Sequence, residues 1–414
     1  MDLNRRSSGG SGAADGAPGI DGAAPSPTTV MVCTVVALIA GLALQLVSAH
    51  FGHMYGDIEM LFRARGIRPH ELPYLDRPLE YPVVIGFLMW ATSWVGHTQA
   101  TFFLANAAVI AALVLATTYL LAQRNPDRVL RFALAPTLVW YSFHNFDMVP
   151  VFCTVAGLVA LERRRPATAG ALLAVGAWAK LYPALFLPAF LLLLWRSDRT
   201  AAKRFAAGTV AVTVVVNLPI MLGSWQGWWH PIEFQGVRQA TWGSLWYHLL
   251  RLPGVDHLVS TASGPTNVLA AVALLAGLVL VTRRAVRLRI GPAQIAAAMT
   301  AVFVLTNKVY SPQYSLWVLP FFVLLALPRR LWAGFIVADA AMYLLVFGPW
   351  LRDHAQGDVR ISLIAVVVVV RAVILLDVIR RSMQAPAAPV APAEPTGTDE
   401  PVEVVGHRAR SALW

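Results

Sequence analysis

Two carboxylates and two lysines stand at the ends of apolar runs, where charge is expensive. Asp57 follows the first such run, in a polar stretch that carries His50, His53, Tyr55 and Glu59. Asp147 closes the break His144-Asn145-Phe146-Asp147. Lys180 stands in Trp178-Ala179-Lys180-Leu181-Tyr182-Pro183, and Lys308 in Asn307-Lys308-Val309-Tyr310-Ser311-Pro312-Gln313-Tyr314. A lysine in that setting needs a partner or a task. Two of them facing one cavity suit a phosphate or pyrophosphate; otherwise each snorkels to the nearest polar surface. A carboxylate placed as Asp57 is can act as general base toward an acceptor hydroxyl, or it is a solvated loop residue. Asp147 follows an Asn at a helix start, which suits an N-terminal cap as well as a site role.

Other candidates are weaker. His50 and His53 are three apart and could join Asp57 on a metal, but there is no HExxH, so no metal is expected. The two cysteines, Cys33 and Cys153, lie inside apolar runs and suggest neither a disulfide framework nor a metal site. Trp225, Trp228, Trp229, Trp242 and Trp246 suit stacking on a sugar, cover for a lipid chain, or an ordinary interfacial aromatic belt. No glycine-rich phosphate loop stands between a strand and a helix, so use of a cytoplasmic nucleotide has no support. Asp339 and Asp377 fall inside apolar runs, where structural pairing is expected, for Asp377 with Arg380 or Arg381.

The elements that must position these residues follow from composition. Of 414 residues, 57% are hydrophobic and only 13% charged, about half the charged share (roughly 25%) of soluble domains. That leaves too little polar surface to coat a soluble body, and an all-α polytopic membrane protein is expected. Candidate spans are 30–49, 82–96, 100–122, 129–143, 147–162, 167–180, 182–195, 204–222, 266–282, 292–306, 314–327, 331–349 and 359–379. Arg5 and Arg6 suggest a twin-arginine signal, but the apolar run begins far downstream and is long, so it reads as a retained anchor. If 82–96, with Tyr81-Pro82, Trp90 and Trp94, lies along the interface, every basic cluster faces one way. Then 22 of the 33 Lys and Arg fall on one side, ten on the other, and Arg371 within a span. The positive-inside rule thus gives about twelve crossings with both termini cytoplasmic. The net charge of +11 is then topology rather than nucleic-acid binding. Residues 1–29 and 381–414 read as disordered cytoplasmic tails around a transmembrane domain, 30–380, with outer loops 50–99 and 223–265. The candidate chemistry collects on the outer face.

The order of these motifs resembles the GT-C membrane glycosyltransferases: Tyr55-Gly56-Asp57, then Glu80-Tyr81-Pro82, an interfacial helix, and a second Asp. The segments Trp178–Pro183 and Lys308–Tyr314, with Trp317 and Pro320, resemble glycosyltransferase family 87. That family includes polyprenyl-phosphomannose-dependent mannosyltransferases of actinobacterial envelopes, and the Ala- and Arg-rich composition fits such a source. Many members double the proline after Glu-Tyr, where this chain has Tyr81-Pro82-Val83.

The resemblance implies transfer of a sugar, most simply mannose, from a polyprenyl phosphate to a lipid or glycan hydroxyl on the outer face of the plasma membrane. No cofactor is implied beyond that lipid-linked donor. Asp57 maps onto the family's acidic residue and is the expected base for a single inverting displacement. Lys180 and Lys308 are expected on the leaving phosphate; Asp147, Asn307, Tyr310, Gln313, His53 and Glu80 on substrate. The rival reading is a transporter or flippase of a lipid-linked sugar, though no repeated halves with matching helix breaks are visible.

Overall fold

The computed structural model describes residues 24–50, 56–252, 254, 264–348 and 357–384. His53 lies outside them. Among the described residues all regular structure is helical, apart from an isolated bridge between Pro73 and Arg77. Six helices are long and apolar enough to cross a membrane: α1 (Pro27–His50), α4 (Gln99–Arg124), α10 (Arg199–Gly223), α13 (Gly264–Leu288), α17 (Arg329–Phe347) and α18 (Gly357–Ser382, span Val359–Ser382). Between them run α2 (Asp57–Arg65), α3 (Val83–Ser93), α7 (Met148–Glu162), α8 (Pro166–Ala179), α9 (Leu187–Ser197), α11 (Trp225–Val237), α12 (Leu245–Leu249) and α14 (Pro292–Thr306). The short helices α15 (Ser315–Val318) and α16 (Phe321–Leu324) follow a 3-10 turn at Pro312–Tyr314.

The shorter helices make the middle of the bundle. Nearly every residue of α7 is buried, as is most of α14, which is why both are apolar on all sides rather than striped. α10 and α13 are mostly uncovered and form the lipid-facing rim. Run 82–96 becomes the eleven-residue α3, about 16 Å long by helix rise and too short for a roughly 30 Å hydrocarbon core. Run 129–143 differs from expectation. It divides into α5 (Leu130–Ala133) and α6 (Pro136–Tyr141), because the residue before a proline is pushed out of helical geometry, and Ala135 is extended.

The two ends of the bundle have different chemistry. At one end arginines close helix termini. Arg124 pairs with Glu162 at 2.8 Å, Arg128 donates to Ala326 O at 2.6 Å, Arg131 to Leu327 O, and Arg284 to Met383 O at 2.9 Å. Asp377 takes both Arg380 and Arg381. Arg128, Arg131 and Arg284 thereby satisfy carbonyls that a helix end leaves open. The other end of α7 and α8 carries Asp147 and Lys180.

At the arginine end, α8 lies directly against α10. A Cβ on Gly170 would stand 2.2 Å from Phe205 O, and one on Gly208 2.1 Å from Ala167 O. Backbones approach this closely only where the side chains are small. Gly208→Val should therefore destabilise the protein by about 1–3 kcal/mol through forced separation of the helices. Gly236→Ala, which meets open space, should be close to neutral. Thermal melts in detergent compare the two, and equal melting temperatures would refute the close-contact account.

Candidate active site

Asp57 is the first residue of α2. The preceding Gly56 is extended and supplies no side-chain cap. The Asp57 amide instead donates to His144 O at 3.0 Å. A carboxylate in a first turn is favoured by the helix dipole. Ile58, Leu61 and Phe62 anchor the helix, with Phe62 5.0 Å from the Phe102 ring of α4. Gly66, at φ +57°, ends it in left-handed geometry. At its far end Arg65 pairs with Glu80, which brings Tyr81 beside Asp57.

Three side chains meet there. The Asn145 amide donates to Asp57 Oδ2 and, at 2.9 Å, to the Tyr81 hydroxyl. That hydroxyl lies 3.4 Å from the same Oδ2. Asp57 itself is half-buried. Asp147 is fully buried, and its side chain makes no cap on α7. Its Oδ1 holds the Lys180 ammonium at 2.6 Å and the Trp317 indole N–H at 2.8 Å.

Lys180 is freed for this by the end of α8. It is extended, and Pro183 turns the chain into a 3-10 turn, Tyr182–Phe186. Its ammonium faces the rings of Tyr314, Tyr81 and Trp317 at 5.6, 5.8 and 5.8 Å, a cation–π cage on top of the ion pair. Tyr182 stacks on Trp317 at 4.5 Å, and Trp317 on Tyr314 at 3.8 Å. Tyr81 therefore joins the two charged groups, with its hydroxyl on Asp57 and its ring toward Lys180.

Lys308 is placed differently from Lys180. Its buried ammonium donates to the carbonyls of Gly236, at 3.2 Å, and Arg238. Burial, and then the Arg238 charge, lowers its pKa from the usual lysine value. Around it the 236–246 loop is sewn to the 306–310 segment. Thr241 N donates to Lys308 O at 2.9 Å, Tyr310 N to Thr241 Oγ1 at 3.0 Å, and the Trp246 indole to Thr306 O at 2.7 Å.

Of the other expected substrate residues, Asn307 turns its Oδ1 onto Val309 N at 3.1 Å, a local turn bond. Gln313 is buried, and Glu80 is held by Arg65. Tyr310 stacks toward Tyr314 at 6.2 Å and lies beneath Arg371, whose guanidinium carbon is 4.1 Å from its ring. Arg371 pairs with Asp339 at 3.6 Å. Ser315 links them, accepting from Arg371 at 2.7 Å and donating to Asp339 at 2.5 Å, and Thr137 donates to the other carboxylate oxygen at 2.8 Å.

Tyr81, Asn145, Tyr314 and Trp317 had no role assigned from sequence. The available signal was Asn145, a second polar residue in the same apolar break as Asp147. Arg371 and Asp339 were in-span charges of opposite sign, a pairing cue that Asp377 shared until it was seen on Arg380 and Arg381.

The sequence profile of glycosyltransferase family 87 matches residues 79–312, more than half the chain. The chain belongs to glycosyltransferase family 87. The matched stretch includes Tyr81, Asn145, Asp147, Lys180 and Lys308; Asp57 precedes it. With six described helices long and apolar enough to cross a membrane, this family member has the make-up of a multi-pass membrane protein. It is also similar to the oligosaccharyltransferase of Archaeoglobus fulgidus in its apo form, at 12% identity and a TM-score of 0.40. That similarity covers 87% of this chain and 56% of the oligosaccharyltransferase, so the chain spans just over half of that protein's length. Comparison with curated proteins gives no match.

Removing one member of a buried pair strands the other charge. Lys180→Met should destabilise the family member by about 3–5 kcal/mol, and Lys180→Met with Asp147→Asn should regain much of it. Denaturation of the single and double variants checks this. A double variant no more stable than the single would refute the pairing as the source of the loss.

Proposed function

We propose that this family 87 glycosyltransferase moves a sugar, mannose, from a polyprenyl-phosphate donor to a hydroxyl of a lipid or glycan acceptor. In this reading the end of the bundle that carries Asp57 faces outward, and both termini are cytoplasmic. The supporting observation is the half-buried Asp57 carboxylate, joined through Tyr81 to the caged Lys180. Among the described residues, side-chain hydrogen bonds to Asp57 fall on Oδ2, so Oδ1 is the oxygen that takes the proton. Asp147 is fully buried, with Oδ1 on Lys180 and Trp317, so of the two carboxylates the half-buried Asp57 is the one an acceptor can reach.

The acceptor oxygen, losing its proton to Asp57 Oδ1, forms a bond to the anomeric carbon as the bond from that carbon to the phosphate oxygen breaks. The electron pair of the broken bond leaves on the lipid phosphate. Attack and departure lie on opposite faces, so the anomeric configuration inverts. Lys180 meets the charge that develops on the leaving phosphate, and Asp147 with the three rings holds its ammonium in position. Lys308 already serves two loop carbonyls, so its contribution is to the shape of the acceptor side rather than to the phosphate. Tyr310 and Gln313 shape the wall beyond Tyr314.

Labelled polyprenyl-phosphomannose supplied to proteoliposomes tests the reading. Asp57→Asn should lower kcat by about 10²–10⁴-fold with a wild-type melting temperature, and the product should have the anomeric configuration opposite to the donor's. Equal turnover by the two proteins removes Asp57 as base, and retention removes the single displacement. Absence of transfer by wild type, together with lipid translocation by it, replaces the transferase reading with a transporter.

A further inference from the structure

A cavity of about 560 Å³ lies at the arginine end of the bundle, where four segments meet. They are the end of α7 at Glu162, the start of α14 at 291–294, the turn after α16, and the end of α18 at Arg381 and Ser382. The volume is within the range of small-molecule sites, roughly 300–1,000 Å³. From Asp147 to Glu162 the whole of α7 intervenes, about 22 Å by helix rise. The cavity is therefore remote from the candidate active site.

Its polar groups are mostly donors. Pro292 has no amide hydrogen, and Ile295 N is the first to bond into α14, to Gly291 O at 3.1 Å. The amides of Ala293 and Gln294 are left without a partner inside the helix, at the positive end of its dipole. Gln294 folds back, its Oε1 accepting from Gly291 N at 3.2 Å. Arg381 gives its Nε to Asp377 at 2.7 Å, and among the described residues its two terminal nitrogens bond nothing. Ser382 is 1% exposed, and its hydroxyl has no hydrogen-bond partner. A buried hydroxyl left unpaired costs about 1–3 kcal/mol, and Ser382 lines a space from which a ligand can satisfy it.

The charges point the same way. Asp377 is shared by Arg380 and Arg381, so one positive charge is left over. Glu162, the carboxylate among the lining residues, is offset by Arg124 at 2.8 Å. The end of α14 adds roughly half a positive charge. Two open amides, a guanidinium edge and a hydroxyl suit a tetrahedral oxyanion.

We infer that this cavity binds a phosphate group, carried by a lipid headgroup of the adjoining leaflet or free in solution. α18 is long enough to span the bilayer and ends at the cavity, which puts the site at headgroup depth. The phosphate ties the start of α14 to the end of α18, helices that already pack together, and stabilises the folded bundle by mass action. The inference does not depend on the reaction proposed above.

The test uses the full chain in dodecyl maltoside and follows its melting temperature with two probes. Inorganic phosphate is titrated against chloride at constant ionic strength, and phosphatidylglycerol against diacylglycerol, which lacks the phosphate. The melting temperature should rise with at least one phosphate probe and with neither reference. A rise with phosphatidylglycerol alone assigns the headgroup, and a rise with inorganic phosphate assigns a site for the free anion. Gln294→Glu keeps an acceptor for Gly291 N but sets a negative charge in the cavity. Ser382→Ala removes a hydroxyl that has no protein partner, so its melting temperature without phosphate should equal the wild type's. Each should weaken phosphate binding by about tenfold or more. Arg330→Gln, at an exposed position outside the cavity, should leave binding unchanged. No rise with either probe overturns the inference, as does unchanged binding in both cavity variants. A loss in Arg330→Gln equal to that in Gln294→Glu also overturns it, by making the response a property of the basic surface.

Discussion

A single buried charge pair sets the terms for this structure. Lys180 and Asp147 sit in an apolar bundle where neither could remain ionised alone, so three segments must converge on them. The start of α7 supplies the carboxylate, the end of α8 the ammonium, and α15 the indole that shares the same carboxylate oxygen. Each segment breaks its helix at that level, at Asp147, at Tyr182-Pro183 and at Pro312, because a continuous helix would carry the side chain past the meeting point. Buried pairs add little net stability but are severe about geometry. Here the geometry is the function.

Lys180, Arg371 and Lys308 lie within the apolar body, and each has a different set of partners. Lys180 has a carboxylate and three aromatic rings. Arg371 has a carboxylate bridged by Ser315, with Tyr310 beneath it. Lys308 has the carbonyls of Gly236 and Arg238. The stack Tyr310–Tyr314–Trp317–Tyr182 connects the first two, so the Arg371–Asp339 pair and the Lys180–Asp147 pair brace opposite ends of one aromatic column. With Asp147 committed to that column, Asp57 is left as the half-exposed carboxylate, oriented by Asn145 but not neutralised by a lysine.

Much of this was readable in the sequence, and the exceptions share a cause. Apolar composition and run lengths gave the helical membrane body, and the motifs around Lys180 and Lys308 gave the family. Asp57 and Lys180 stood out because ionisable side chains at the ends of apolar runs need a reason. What sequence could not show was pairing. Asp147 was equally a helix cap or a site residue until its side chain was seen on Lys180. Lys308 looked like the twin of Lys180, but its partners are main-chain carbonyls, which leave no mark in the side-chain pattern. Run 129–143 was long enough for a span, yet Ala135-Pro136 divides it locally. The tryptophans read as a belt divide too: Trp225 and Trp229 are exposed, while Trp228 and Trp246 are tied inward by their indole N–H groups.

The seam between residues 236–246 and 306–310 relies largely on peptide groups. The carbonyls of Gly236, Arg238, Thr306 and Lys308, and the amides of Thr241 and Tyr310, carry most of it. Every residue supplies a carbonyl, and every residue but proline supplies an amide. The side chains of Thr241, Trp246 and Lys308 supply the other partner, and Gly243, where a Cβ would stand 2.2 Å from Tyr310 O, must stay bare. The loop can be rewritten at its other positions while the aromatic column behind it keeps its register. Such a scaffold can diversify in what it recognises without relearning how to fold.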